Sequence, residues 1–149
     1  MRIKQTMIAL TGTIMLLGAG ETTIGDWNNP KDLALGERLF AKSCAVCHGT
    51  AGAGNGEDWR KKRSDGRLPP PPLNGTAHTW HHDPQLLMTI IAKGGKTYGS
   101  TFAGWMPGFA DKLSVKERAA ILKYIHSLWP KEIRTRYDKH FKIDTKNNK

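Results

Sequence analysis

The sequence predicts an all-α fold of three to four helices, and three observations predict it. Apolar residues recur at helical spacing in three segments. Capping residues stand at the starts of the last two of these segments. No stretch alternates apolar and polar residues as a half-buried strand would, and no internal repeat is present.

The elements follow in order. Residues 1–20 are read as a secretory signal peptide: Arg2 and Lys4 open it, mostly apolar and small residues run from Met7 to Leu17, and Gly18, Ala19 and Gly20 offer a cleavage site. The apolar run is short for a bilayer span. An uncleaved amphiphilic anchor is the competing reading. A first helix begins around Pro30 and Asp32 and runs to about Ser43, with Leu33, Gly36, Leu39 and Phe40 on one face. Loop fills roughly 49–80. Within it, residues 50–68 form a polar insertion that is Gly-rich at first and then basic at Lys61, Lys62 and Arg63. It is read either as a docking surface or as a solvated loop. A run of four prolines, Pro69 to Pro72, follows.

A second helix has Asp83 as cap and Pro84 at its first position, and stops before Gly94 and Gly95. Leu86, Leu87, Ile90 and Ile91 give its apolar face, and Met88 reads as core. A third opens on the capping box Ser114 to Glu117, continues through Ala120, Ile121, Tyr124, Ile125 and Leu128, and ends at Pro130. The folded domain is therefore bounded at 30–130. A basic tail, 131–149, is left over, with a short helix expected around Lys131 to Tyr137.

Composition sets limits. The chain has 149 residues, 38% of them hydrophobic and 24% charged, which suits one domain with a modest core. Lys and Arg number 23 against 13 Asp and Glu, a net charge of +10. Such a surface favours anionic partners, but sign alone does not choose among proteins, membranes and nucleic acid.

The choice comes from Cys44-Ala45-Val46-Cys47-His48, the pattern C-x-x-C-H, which holds the only two cysteines of the chain. Two thiols at this spacing reach the two vinyl groups on one edge of a porphyrin. An imidazole directly after the second thiol falls under the ring centre, where it can ligate iron. A thioredoxin-type pair would need a βαβ setting, and a zinc site would need two more ligands at matched spacing. Neither is present in the sequence, so one covalent haem c is the expected cofactor, on Cys44 and Cys47, with His48 as an axial ligand.

A sixth ligand is sought among the methionines. Met1, Met7 and Met15 leave with the signal peptide. Met106 lies in Gly104-Trp105-Met106-Pro107-Gly108-Phe109, a non-helical loop able to carry a thioether to the iron. It is the expected ligand. His78, His81, His82, His126 and His140 are its rivals. His81-His82-Asp83 reads either as a small exposed metal site or as a solvated helix start. His126 is expected partly exposed on the last helix. Trp105 and Phe109 are expected on the Met side, and Trp59, Trp80, Lys96 and Tyr98 near the propionates or the pocket wall. An apolar cavity is expected between His48 and Met106.

Taken together, the residues resemble the class I cytochrome c family over about Asp32 to Pro130. The pieces are Gly36-Glu37-Arg38-Leu39-Phe40, the haem motif, Pro71-Pro72-Leu73-Asn74-Gly75, the Met106 loop, and Leu122-Lys123-Tyr124-Ile125 in the final helix. The resemblance implies a helical wrap around one His- and Met-ligated haem. It implies that the Pro71 carbonyl accepts a hydrogen bond from the far nitrogen of His48. It also implies that Gly36 lets the first helix cross the last one closely near Tyr124. The insertion at 50–68 and the tail depart from the family pattern.

The expected function is that of an exported, periplasmic electron carrier in a respiratory or dehydrogenase chain, not an enzyme, with acidic redox proteins as partners. No nucleic-acid role is expected, and membrane association only if the N-terminal segment is retained. The alternatives are a haem enzyme or gas sensor with an open axial position, and a copper or zinc module built on His78, His81 and His82.

Overall fold

A computed structural model describes residues 24–102, 104–143 and 145. The signal-peptide reading of 1–20 lies outside them. Five α-helices are present among the described residues: α1 (Pro30–Ser43), α2 (Ala45–His48), α3 (Pro84–Lys93), α4 (Val115–Ser127) and α5 (Lys131–Phe141). The helix beyond the expected three to four is α2, a single turn too short to show apolar periodicity.

Local chemistry sets the helix ends. The Asn29 side chain accepts from the Lys31 and Asp32 amides, and Pro30 fills the first position of α1, where no amide donor is needed. Asp83 caps α3 through the Leu86 amide at 2.9 Å. Ser114 and Glu117 form the reciprocal capping box of α4. α5 runs four residues past the expected Tyr137, to Phe141.

The most extensive packing is α1 against α4. It is close because of Gly36, where a Cβ would collide with the Ala120 carbonyl of α4. Phe40 fills the next turn against Tyr124, ring centroids 5.4 Å apart. At the other end Lys123, 4% exposed, pairs with Asp32 at 2.7 Å. A buried ammonium is tolerated only with such a partner.

α5 closes the far side of α4. Its Tyr137, 2% exposed, packs with Trp27, Trp129 and His126 in one aromatic cluster. His126 is 2% exposed, not partly exposed as expected. Trp27 comes from before α1 and Tyr137 from α5, and together they cover a residue that α4 alone would leave at its rim. Asp138 of α5 accepts from His126 Nε2 at 2.8 Å. Met88 is buried in the core, as expected.

Candidate functional site

The haem-motif cysteines sit where α1 ends. Cys44 caps α1 and starts α2, and its amide donates to the Phe40 carbonyl at 2.8 Å. One helical turn then carries Cys47 and His48. Both cysteines are free thiols. Burial, with a smaller contribution from Cys47, pushes the Cys44 thiol up to about 11.

After His48 the chain folds back sharply. The Gly54 amide donates to the His48 carbonyl at 2.7 Å, and Gly49, at φ +76°, makes the reversal. This places the Gly52 carbonyl to accept from the Leu73 amide at 2.7 Å and the Asn74 amide at 3.2 Å. From the other side, the Trp129 indole donates to the Leu73 carbonyl at 2.8 Å. The segment after the proline run is thereby held on two sides. His48 Nδ1 then meets the Pro71 carbonyl at 2.8 Å. A carbonyl only accepts, so Nδ1 carries the proton and Nε2 keeps its lone pair. Burial lowers the His48 pKa, opposed in part by that hydrogen bond, which favours the neutral form that ligation requires.

Met106 arrives on a loop fastened to the end of α3. The Gly95 amide donates to the Met106 carbonyl at 2.9 Å. The Phe109 and Ala110 amides donate to the Ala92 carbonyl at 3.0 and 3.1 Å, and Phe109 also to Ile91 at 3.1 Å. The loop thus satisfies carbonyls that the end of α3 leaves without helical partners. Gly94, at φ +65°, makes room: a Cβ there would meet the Met106 carbonyl.

These pieces enclose one cavity of about 540 Å³. That lies within the ~300–1,000 Å³ range of cofactor sites. Cys44, Cys47, His48 and Pro71 line it together with Met106. Its remaining wall is mostly apolar, from Leu68 and Leu87 to Ile91 and Ile121. Trp105, Phe109, Trp59 and Tyr98 line it as expected, whereas Trp80 and Lys96 do not. Trp80 packs on His81 instead, ring centroids 3.9 Å apart. Exposed apolar residues gather at the rim, with Val46 84% and Trp105 67% exposed.

Two of the rival ligands named from the sequence stand in the wall. His78 and His82 line the cavity, while His81 is exposed, so the three do not converge. No group of three or more potential metal-ligating His, Cys, Asp or Glu occurs among the described residues. Nδ1 of His78 and Nε2 of His82 are buried without a hydrogen-bond partner among them. Each nitrogen so left costs ~1–3 kcal/mol. His126, another rival ligand, lies in the aromatic cluster paired to Asp138, and His140 is exposed on α5.

The cytochrome c family model matches residues 33–129. The chain belongs to the cytochrome c family. This cytochrome is of the all-α class I type and binds haem c. It is similar to the FixP subunit of the cbb3-type cytochrome c oxidase of Bradyrhizobium diazoefficiens, 30% identical over 97 residues, covering 65% of this chain and 28% of the relative. It is also similar to the cytochrome c subunit of the quinone alcohol dehydrogenase of Komagataeibacter europaeus, 29% identical over 63% of this chain and 18% of the relative. The Gluconobacter oxydans counterpart has the same identity and coverage. The cytochrome thus spans less than a third of the length of these curated relatives. No solved structure matches it.

The residues fit the family's cofactor. Two thiols one turn apart, an imidazole with its far nitrogen already bonded, and a thioether all border one apolar cavity. The unpartnered His78 and His82 nitrogens add hydrogen-bonding capacity to its wall.

Proposed function

We propose that this cytochrome is an exported carrier of single electrons, working in the periplasm between redox proteins of a respiratory or dehydrogenase chain. One haem is held covalently by Cys44 and Cys47, with His48 and Met106 as its axial ligands, in a domain bounded at 30–130. When bound, the haem supplies a one-electron iron couple. The protein supplies the rest. The observation that carries the reading is the His48–Pro71 bond at 2.8 Å, which leaves Nε2 as the ligating nitrogen and fixes the ring. The α3-anchored loop holds Met106 in the wall of the same cavity. The apolar wall excludes water and favours the less charged, reduced iron.

The partners are acidic-surfaced redox proteins, in keeping with the net charge of +10. Encounter is steered by charge, so it is fast and weakened by salt. The relatives' names, an oxidase subunit and dehydrogenase subunits, support a place beside such complexes. No helix among the described residues is long and apolar enough to cross a membrane.

The test is expression with working haem-attachment machinery. A mass gain of one haem and low-spin visible bands are expected. A Met106→Ala variant should lose the Met-type spectrum and bind carbon monoxide readily when reduced. Retention of that spectrum by the variant, or rapid carbon monoxide binding by the native protein, would overturn the ligand assignment.

A further inference from the structure

The haem motif and the Met106 loop account for one part of the cavity wall, but not for Trp59, His78 and His82. These three form a connected group. The His78 ring stacks on Trp59 with centroids 4.7 Å apart and an interplanar angle of 24°. His82 meets His78 edge-on, centroids 5.3 Å apart. All three line the cavity, and the neighbouring His81 is exposed and takes no part in it. His78 Nδ1 and His82 Nε2 are buried, with no hydrogen-bond partner among the described residues.

Buried ring nitrogens without a partner are rare, because each has given up water for nothing. Stacking on Trp59 holds the His78 plane, so the ring is set and not searching for a contact. The cavity lining is mostly apolar, with Leu87 and Ile90 of α3 in it, and Thr79 stands between the two histidines; neither ring nitrogen finds a partner there. The partner must therefore come from whatever fills the cavity. On the reading proposed above, that is haem, and the inference rests on it. A porphyrin edge is apolar except for its two propionate carboxylates, which lie away from the thioether-bearing edge. Carboxylates accept hydrogen bonds and imidazole N–H groups donate them.

We propose that His78 Nδ1–H and His82 Nε2–H donate to the haem propionates, making the Trp59–His78–His82 group a carboxylate-binding wall. His78 and His82 are positioning residues in this role. They fix the cofactor edge and stabilise its negative charge by hydrogen bonding, which bears on the iron potential, since a carboxylate without such donors favours the more positive oxidised iron more strongly.

The experiment uses the full, haem-loaded chain. In the reduced, diamagnetic protein labelled with 15N at histidine, protons are expected on His78 Nδ1 and His82 Nε2. They should exchange slowly and lie close to propionate methylene protons. Substitution supplies the second arm. His78→Phe and His82→Phe remove the donors and should lower the midpoint potential. His78→Asn and His82→Gln restore an amide donor near the same nitrogen positions and should return it towards the native value. A haem-loaded protein with both nitrogens unprotonated overturns the proposal, as do Phe variants at the native potential. A chain that takes up no haem overturns both this proposal and the reading beneath it, so the two failures are told apart by the visible bands.

Discussion

His48 donates through Nδ1 to the Pro71 carbonyl at 2.8 Å, joining the turn after α1 to a segment 23 residues further on. That segment is itself tied down by the Gly52 carbonyl and the Trp129 indole. The imidazole plane therefore depends on contacts made well outside the haem motif.

Trp129→Phe tests this dependence. It keeps most of the ring volume but leaves the Leu73 carbonyl without its donor. The bond is part-buried, so losing it together with some indole packing should cost ~1–3 kcal/mol. Denaturant titration should show a loss in that range. An unchanged unfolding midpoint would show that the indole bond contributes nothing.

Gly36→Ala sets two effects against each other. Alanine normally favours a helix interior over glycine by ~0.5–1 kcal/mol. Here the added methyl meets the Ala120 carbonyl and, at 2.9 Å, the Tyr124 Cβ. Backbone cannot step aside as a side-chain tip can, and overpacking costs ~1–3 kcal/mol. The clash should win, lowering the melting temperature. A more stable variant would show that α1 and α4 can separate freely.

Tyr137 separates ring from hydroxyl. Its ring is buried in the aromatic cluster, but its hydroxyl has no hydrogen-bond partner among the described residues. Tyr137→Phe should therefore be neutral or stabilising. Tyr137→Ala should cost ~3–5 kcal/mol, as large aromatic truncations do. Equal losses in both variants, read by thermal melting, would contradict this division.

Acid should loosen the α4–α5 contact through His126. Burial lowers its pKa from the ordinary 6.5, and the neighbouring Asp138 carboxylate only partly opposes this. With the folded value below the unfolded one, the unfolded chain takes up the proton first as pH falls. The stability due to neutral His126 is present above about pH 6.5 and drains away as pH drops towards the folded value. His126→Gln keeps a donor for Asp138 but cannot titrate in this range. The native protein should lose more melting temperature between pH 8 and pH 5 than this variant does. Equal losses would exclude His126 as the source.

The parts of the site that were legible in the sequence are those whose chemistry is local. Cys44, Cys47 and His48 declare themselves by spacing alone, and Asp83, Ser114 and Glu117 mark helix starts through bonds spanning three residues. Pro71 was reached through family resemblance, since nothing in a proline run says which carbonyl a distant ring will meet. His126 reads as partly exposed in the sequence because its cover comes from Trp27 and Tyr137, which lie outside α4 on either side. In the sequence His78 and His82 read as rival metal ligands, with His82 also at a helix start. Their place in the cavity wall depends on how the 59–82 loop wraps, which periodicity does not report.

The loop carrying Met106 is moored to α3 by peptide groups, not by the methionine side chain. Position 106 is consequently decoupled from the framework that presents it. A different side chain there would arrive at the same address, so the chemistry offered to the cavity can be exchanged while the scaffold stays intact. The constraint falls instead on Gly94 and Gly108, where any side chain would push the two backbones apart.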